Sequence, residues 1–204
     1  MFLRFLLCDF CIWLLGFRSF DKDGICSVCG VYKQPECIDG AYQIRTAGDL
    51  FWYAGYINYD TDITGNSYVE YNTKNAVLVN DIVINEGSVS DCQGVKAPEW
   101  KEWAPIGGSS SSYYSIFRGT FEGNGHTISG LYCNSSSISS AGLFGNTENA
   151  VISGVGIVNS YISSAGYVGA IAGKCEKGSI TNCYNEGSIS VNTGYSEEKI
   201  LGGI

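Results

Sequence analysis

Two short patterns recur along the second half of the chain, and this repetition constrains the fold more than any other feature of the sequence. The first pattern places an aliphatic residue two positions before Gly or Asn, and it occurs at residues 127–131, 151–155 and 179–183. The second pattern begins at Gly142, Gly169 and Gly202. Periods of about 20–50 residues are typical of solenoids, in which each turn of the chain stacks on the turn before it.

Stacking of this kind predicts which side chains form the core. Equivalent aliphatic residues would point inward and lie over one another, while Gly and Asn would supply the positive φ angles of the corners. The small residues Cys133, Cys175 and Cys183 fit inward or corner positions, and a disulfide between two of them stays open. The expected core residues are Ile128, Leu131, Leu143, Phe144, Ile152, Val155, Ile157, Val168, Ile171, Ile180 and Ile189.

A helix is predicted upstream of the repeats, over residues 47–58. Thr46 suits an N-cap, Asp49 lies in the first turn, and apolar residues follow at helical spacing. Such a helix would lie across the end of the solenoid and shield its core. Alternating residues predict a strand at 42–45, a longer apolar run predicts another at 76–84, and residues 85–115 are expected to be mostly loop.

Composition supports an all-β class. Of 204 residues, 45% are apolar and 27 are Gly, so the chain can bury a core but needs many tight turns. We expect three parts: an apolar segment with a Cys-rich knuckle over residues 1–37, an N-terminal cap with entry strands over 38–116, and the repeats over 117–204. No polar cap follows the last repeat, so we expect the natural protein to continue beyond Ile204 as part of a larger polypeptide.

Charge and cysteine content exclude some classes. The net charge is −8 and the basic residues do not cluster, so a nucleic-acid partner is disfavoured. Nine cysteines is an odd count for a disulfide scaffold, which favours buried thiols. The apolar residues 1–17 resemble a poor export signal or a misassigned start, and they are too short and interrupted to span a membrane.

One cysteine array has a metal-binding spacing. Cys8 and Cys11 form one Cys-x-x-Cys pair, and Cys26 and Cys29 form a second pair further along the chain. Two such pairs on tight turns are typical of tetrahedral zinc sites. Two interpretations stay open: a structural zinc shared by the pairs, with Cys37 as a substitute ligand, or thiols without a metal. No other cofactor is expected.

Groups suited to catalysis are sparse in the repeats. His126 is the sole histidine and follows a Gly-Asn-Gly turn, so we interpret it as a hydrogen-bonding corner residue. No serine lies in a Gly-x-Ser-x-Gly elbow. The acidic residues of the repeats are few: Glu122, Glu148, Glu176, Glu186, Glu197 and Glu198. Glu122, Glu176 and Glu186 stand next to Gly or Lys at apparent corners, so they look like solvated turn residues rather than a pair suited to glycoside cleavage.

Two further groups of residues suit ligands. Asp60 and Asp62 with Asn66 offer clustered oxygens for calcium, but the ligand ladder of a calcium loop is incomplete, which favours a solvated turn. The chain also has 14 Tyr and 4 Trp, most of which we expect to serve packing. The best exposed candidates for a sugar-stacking surface are Tyr113, Tyr114 and Tyr161.

Several ordered motifs resemble one known family. Residues 117–131, followed by Gly142-Leu143-Phe144-Gly145, resemble the GLUG repeats of bacterial surface proteins. Residues 103–107 are similar to the usual lead-in to these repeats, and residues 42–50 are similar to the segment upstream. The resemblance covers about residues 41–204. It implies a right-handed parallel β-helix on large secreted or wall-attached proteins, often from Gram-positive gut bacteria, and it transfers no catalytic residue.

Residues and resemblance together predict a non-catalytic, adhesin-like module, secreted or on the bacterial cell surface. The expected partner is a host protein or a glycan, with no nucleic acid and no membrane span. The alternative is an accessory region of a larger surface peptidase or polysaccharide-degrading enzyme, since the repeat is associated both with adhesion and with immunoglobulin-A peptidases. A carbohydrate-active β-helix enzyme is a third hypothesis, supported by analogy of fold alone.

Overall fold

A computed structural model of the chain describes residues 20–27, 29–60, 73–108, 115–192 and 200–202. Within these ranges the chain is mostly sheet with a single helix, in agreement with the all-β prediction. The apolar segment at residues 1–17 lies outside the described residues, and so do Tyr113, Tyr114, Glu197 and Glu198.

The N-terminal part is a small antiparallel knuckle. Phe20 bridges to Cys26, and Ile25 bridges to Tyr32, so the chain reverses over a short stretch. Cys26, Cys29 and Val31 form a small buried cluster of their own, with Phe20 packed against it. Strand β1 (Cys37–Ile38) then pairs antiparallel with β2 (Ala41–Ile44).

Helix α1 (Ala47–Ile57) begins where its sequence signals predict. The Thr46 hydroxyl accepts a hydrogen bond from the Asp49 backbone N–H, and the Asp49 carboxylate accepts one from the Thr46 N–H, which forms a capping box. Leu50, Tyr53 and Ile57 are fully buried in the main core. The predicted helix is therefore confirmed, although it ends at Ile57 rather than at Asn58.

The remaining strands are short and mostly paired in parallel. They are β3 (Asn75–Leu78), β4 (Ile82–Val83), β5 (Thr120–Glu122), β6 (Thr127–Ser129), β7 (Tyr132–Ser135), β8 (Ser140–Ala141), β9 (Phe144–Glu148), β10 (Val151–Ser153), β11 (Gly156–Ser164), β12 (Tyr167–Val168), β13 (Ala172–Glu176), β14 (Ser179–Thr181), β15 (Tyr184–Val191) and β16 (Ile200–Leu201). Among the described pairs of named strands, β1 with β2 is the one antiparallel pair.

The chain visits its sheets in the same order on successive passes. The first sheet has the order β1-β2-β3-β5-β10-β14, and the second β15-β11-β6-β4 with β7 also on β11. A third sheet has the order β16-β12-β8, and the fourth pairs β13 with β9. One pass therefore runs β5, β6, β7, β8, β9, the next runs β10, β11, β12, β13, and the last begins β14, β15, β16.

Equivalent side chains of successive passes stack in register. Ile152 pairs with Phe121 of the preceding pass on one side and with Ile180 of the following pass on the other. Ile157 likewise lies between Ile128 of the preceding pass and Asn185 of the following one. The separation along the sequence between stacked partners in neighbouring passes therefore falls within the range that is typical of solenoids.

One predicted alignment of the repeats is wrong. The shared pattern at 127–131 and 151–155 predicts that Ile128 stacks on Ile152. Instead Ile152 pairs with Phe121, and Ile128 pairs with Ile157 in a different sheet. The later alignment is confirmed, because the strand at Val151 pairs in register with that at Ser179.

The predicted core is buried, and its side chains are more exposed in the last pass than in the earlier ones. The expected core residues from Ile128 to Ile171 are at most 1% exposed. Ile180 and Ile189 are partly buried and pack against the same core. Cys133 is buried, whereas Cys175 is exposed, and these two and Cys183 are free thiols.

The single strand predicted at residues 76–84 is interrupted. Its first part is β3 and its second part is β4, and these strands belong to different sheets. Between them Asn80 turns the chain, with its amide donating to the Arg45 carbonyl oxygen at 3.1 Å. Asp81 then accepts a hydrogen bond from the Thr127 N–H at 2.9 Å. The polar pair Asn80-Asp81 therefore forms a corner rather than a strand centre.

Candidate ligand-binding site

A long insertion, which we call the strap (residues 85–101), leaves the end of β4 and is pinned at its base. The Asn85 side-chain amide donates to the carbonyl oxygens of Lys101 and Gly130, both at 2.8 Å, and its oxygen accepts from the Lys101 N–H at 2.7 Å. Asn85 is 5% exposed. Its backbone passes so close to Gly130 that a Cβ there would lie 2.2 Å from the Asn85 carbonyl oxygen, so Gly130 must lack a side chain.

The strap is held on three neighbouring strands. The Gly94 carbonyl oxygen accepts from the Tyr132 hydroxyl of β7 at 2.9 Å. Asn159 of β11 donates to the Gly87 carbonyl oxygen at 2.6 Å, and Ser188 of β15 donates to the Ser90 carbonyl oxygen at 2.7 Å. These bonds join the insertion to the passes that begin with β5, β10 and β14.

An aromatic column joins the strap to the strands beneath it. The rings of Trp100 and Tyr132 have centroids 5.7 Å apart, and Tyr132 stacks on Tyr161 at 6.0 Å with an interplanar angle of 22°. The Trp100 indole N–H donates to the Glu86 carbonyl oxygen at 3.0 Å, which fixes the plane of the ring. Tyr132 is 3% exposed, and burial raises the pKa of its hydroxyl. Trp100 and Tyr161, at the two ends, are half-buried.

A cavity of about 250 Å³ lies beside Trp100, between the strap, β4, the start of α1 and the N-terminal knuckle. Its apolar wall is formed by Trp100 with Val83, Ile84 and Ala47. Its charged groups are Lys22, Asp23, Glu86, Glu99 and Lys101. Lys101 Nζ lies 3.5 Å from Asp23 Oδ2, so one cation and one anion of this set already form an ion pair.

The predicted zinc array is not assembled by the described residues. Cys8 and Cys11 lie outside them, while Cys26 and Cys29 are buried in the knuckle. In the described part of the chain, no group of three or more His, Cys, Asp or Glu side chains is placed to hold a metal ion. Cys37, the substitute ligand, is exposed on β1. Of the suggested calcium cluster, Asp60 is described and Asp62 and Asn66 are not.

Charged residues of the repeats form local pairs, but not all of them lie at corners. The expectation that Glu176 and Glu186 are turn residues is wrong, because they lie within strands β13 and β15, where both are exposed. His126 Nδ1 is 3.2 Å from Asp81 Oδ1, and this contact together with the Thr127 N–H lowers the pKa of the Asp81 carboxyl, with the N–H contributing more. Arg118 Nε donates to Glu148 Oε2 at 2.8 Å. A hydrogen bond from Lys174 lowers the pKa of the Glu176 carboxyl. These contacts give His126, Glu148 and Glu176 structural partners.

The sequence and the structure select different aromatic residues. Tyr161, one of the three tyrosines proposed for sugar stacking, lies at one end of the column. Trp100 forms a wall of the cavity, but sequence analysis placed it only in a loop. Its one local signal is that residues 85–101 contain no other aromatic residue. The bond from Asn85 to Gly130, which brings the strap against the sheet, spans 45 residues and leaves no sequence pattern.

Comparison with known proteins found no matching family model, no matching curated protein and no matching solved structure. Over the described ranges, no helix combines the length and the apolar character that a membrane crossing requires.

Proposed function

We propose that the four sheets are faces of one right-handed parallel β-helix of the kind formed by GLUG-repeat proteins. Three observations support this: the parallel pairing, the in-register stacking, and the constant order in which each pass visits the sheets. Right-handedness follows from the general preference of parallel crossovers in a sheet. Helix α1 serves as the N-terminal cap.

We further propose that the chain is a non-catalytic module, secreted or on a bacterial cell surface, that binds a host protein or glycan. The observation that carries this proposal is the strap, an insertion that is fixed to three passes and forms a cavity wall with the half-buried Trp100. Rigid strands that position a loop insertion are a common basis for binding sites. The surface location rests on the resemblance to GLUG-repeat proteins.

The proposal is tested by binding of the purified chain to immobilised host-surface glycoproteins, each with its glycans intact or enzymatically removed. Saturable binding to at least one of them is expected. A variant in which Asn159→Ala removes an anchor of the strap should bind at least 10-fold more weakly. Glu176→Gln, at the exposed end of strand β13, is the matched control and should bind like the original chain.

The proposal that the chain has no catalytic activity is tested separately, with polysaccharide and peptide substrates. No product should accumulate. Turnover that disappears in Glu86→Gln or Glu99→Gln, the cavity carboxylates that form no ion pair with the described residues, would show that the chain is an enzyme. Turnover that persists in both variants would point to a contaminating activity and leave the binding result to decide.

A further inference from the structure

We propose that the cavity beside Trp100 binds one neutral pyranose ring of a glycan, stacked on the indole. This inference rests on the proposed binding function and specifies the ligand class. It concerns the space between the strap and the N-terminal knuckle, to which sequence analysis assigned no role.

The first argument is the fixed orientation of the indole. One side of the Trp100 ring system contacts Tyr132, and the indole N–H is bonded to the Glu86 carbonyl oxygen. Trp100 is also one of the residues that line the cavity, so this ordered side chain is available to a ligand that enters. A pyranose has faces of C–H bonds that suit an aromatic surface, while its hydroxyl groups remain at the rim. A wall that is already ordered reduces the entropy lost on binding.

The second argument is the balance of charge around the cavity. Two ammonium groups, Lys22 and Lys101, and three carboxylates, Asp23, Glu86 and Glu99, surround it. Since Lys101 pairs with Asp23, a cation would still meet Lys22, and an anion would meet Glu86 and Glu99. A neutral ligand with many hydroxyl groups can donate to the carboxylates and accept from the ammonium groups at once. The mixture therefore favours a neutral sugar over either kind of ion.

The third argument is size and support. A volume of about 250 Å³ has room for one ring rather than an extended oligosaccharide. Asn85 pins both ends of the strap, so the wall that carries Trp100 and Glu99 is attached to the sheet and not only to its own loop. Because the charged groups are largely exposed to water, we expect weak binding, with a Kd on the order of 1 mM.

The experiment is a titration of the full chain with methyl glycosides, followed by the indole N–H signals in two-dimensional NMR. The chain has 4 Trp, and Trp100→Phe identifies the Trp100 signal. The neutral probes are the methyl pyranosides of glucose, galactose, mannose and N-acetylglucosamine. Methyl glucuronide and choline are the anionic and cationic counterparts. At least one neutral probe should shift the Trp100 signal saturably, at a concentration at which neither charged probe does so.

Two substitutions locate the site. Val83 is 49% exposed at the cavity, and Val83→Trp should fill it and weaken binding at least 10-fold while Trp100 stays in place. Val151, 43% exposed on β10 and not part of the cavity wall, gives the matched control Val151→Trp, which should bind normally. Trp100→Ala should also abolish binding, but Val83→Trp decides the matter because it leaves the contacts of the strap intact.

Three results would overturn the inference: no shift with any neutral pyranoside, unchanged binding in Val83→Trp, or tighter binding of a charged probe. If the inference fails while the chain still binds a deglycosylated host protein, the proposed function survives with a protein ligand. If the neutral sugar binds but no host glycoprotein does, the cavity is confirmed and the host-binding proposal is wrong.

Discussion

The first and last described parts of the parallel stack differ in how their apolar side chains are covered. At one end helix α1 lies against the core, and Trp52 and Tyr53 are at most 1% exposed. Tyr53 reaches the next layers, with ring centroids 6.4 Å from Phe117 and 6.3 Å from Phe121. At the other end β14 and β15 pair on one side only among the described residues. The apolar Ile180 and Ile189 there are only partly buried.

The sequence of the last pass matches its greater exposure. The column Ile82, Ile128, Ile157 continues into Asn185, so a polar side chain stands where three aliphatic ones precede it. The Asn185 side chain accepts from the Gly187 N–H at 2.9 Å, which satisfies it locally. Helix α1 thus covers the first layers of the core, whereas a polar residue occupies this core position in the last described pass.

Truncation of an aromatic side chain at each end should give the largest contrast. The Trp52 ring centroid lies 5.1 Å from that of Tyr42 and 4.5 Å from that of Tyr56, so Trp52→Ala should lower the free energy of unfolding by about 3–5 kcal/mol. Tyr184, 43% exposed, gives the counterpart Tyr184→Ala, with a loss of less than about 1 kcal/mol. Urea unfolding followed by circular dichroism measures both. Equal losses would show that the two ends are equally ordered and covered.

Two isoleucines that pair in register test more finely how burial decreases from one pass to the next. Ile152 is fully buried, and Ile152→Ala should cost about 2–5 kcal/mol through lost burial and a cavity. Its partner Ile180, one pass later, is partly buried, and Ile180→Ala should cost about 1 kcal/mol. The same unfolding assay applies. A larger loss for Ile180 than for Ile152 would contradict this decrease and indicate that the last pass is covered in solution.

The smallest effect concerns two carboxyl groups, one toward each end. The pKa of Asp81 is lowered from its ordinary value of 3.8, and its contribution to stability is therefore present above that value and lost as the pH falls through the lower, folded-state pKa. Asp81→Asn should lower Tm at neutral pH, and its deficit should shrink as the pH falls below 3.8. Thermal melts across acidic pH measure the difference.

Glu176 is the comparison for this experiment. Its pKa is also lowered, by Lys174, but both residues lie on β13 and the bond joins no two passes. Exposed pairs of this kind contribute little, so Glu176→Gln should leave Tm unchanged at every pH. If Glu176→Gln lowered Tm as much as Asp81→Asn, with the same dependence on pH, hydrogen bonds between passes would contribute no more to stability than bonds within one strand.

Much of the architecture could be predicted because its signals are local. Thr46 and Asp49 mark the helix start, and the buried aliphatic positions follow from the repeat. The misalignment has a physical cause: Thr120-Phe121-Glu122-Gly123 and Thr127-Ile128-Ser129-Gly130 both match residues 151–154. Two strands of one pass share a pattern, and spacing alone cannot decide which of them stacks. Asn80 and Asp81 are residue types that favour turns, and this was a local signal for the corner. The apolar residues on both sides of them made one long strand look more plausible.

The candidate site could not be predicted in the same way. Its walls come from the knuckle, the helix start, β4 and the strap, and the bonds that assemble them are long-range and polar. Tyr161 was identified by its type and predicted position at a surface. The orientation of Trp100 depends on Glu86 and Tyr132, and neither contact has a repeating sequence pattern.

The way in which the strap is attached bears on how much of its sequence can vary. Asn85 and Lys101 bring the two ends of the insertion together, and its other anchors are side chains on strands whose backbones already pair with one another. A segment of different length or composition can therefore replace residues 86–100 without disturbing the ladder beneath it. The requirement on the sequence would then be narrow, since it falls on the Asn at the entrance of the insertion and on the Gly that faces it.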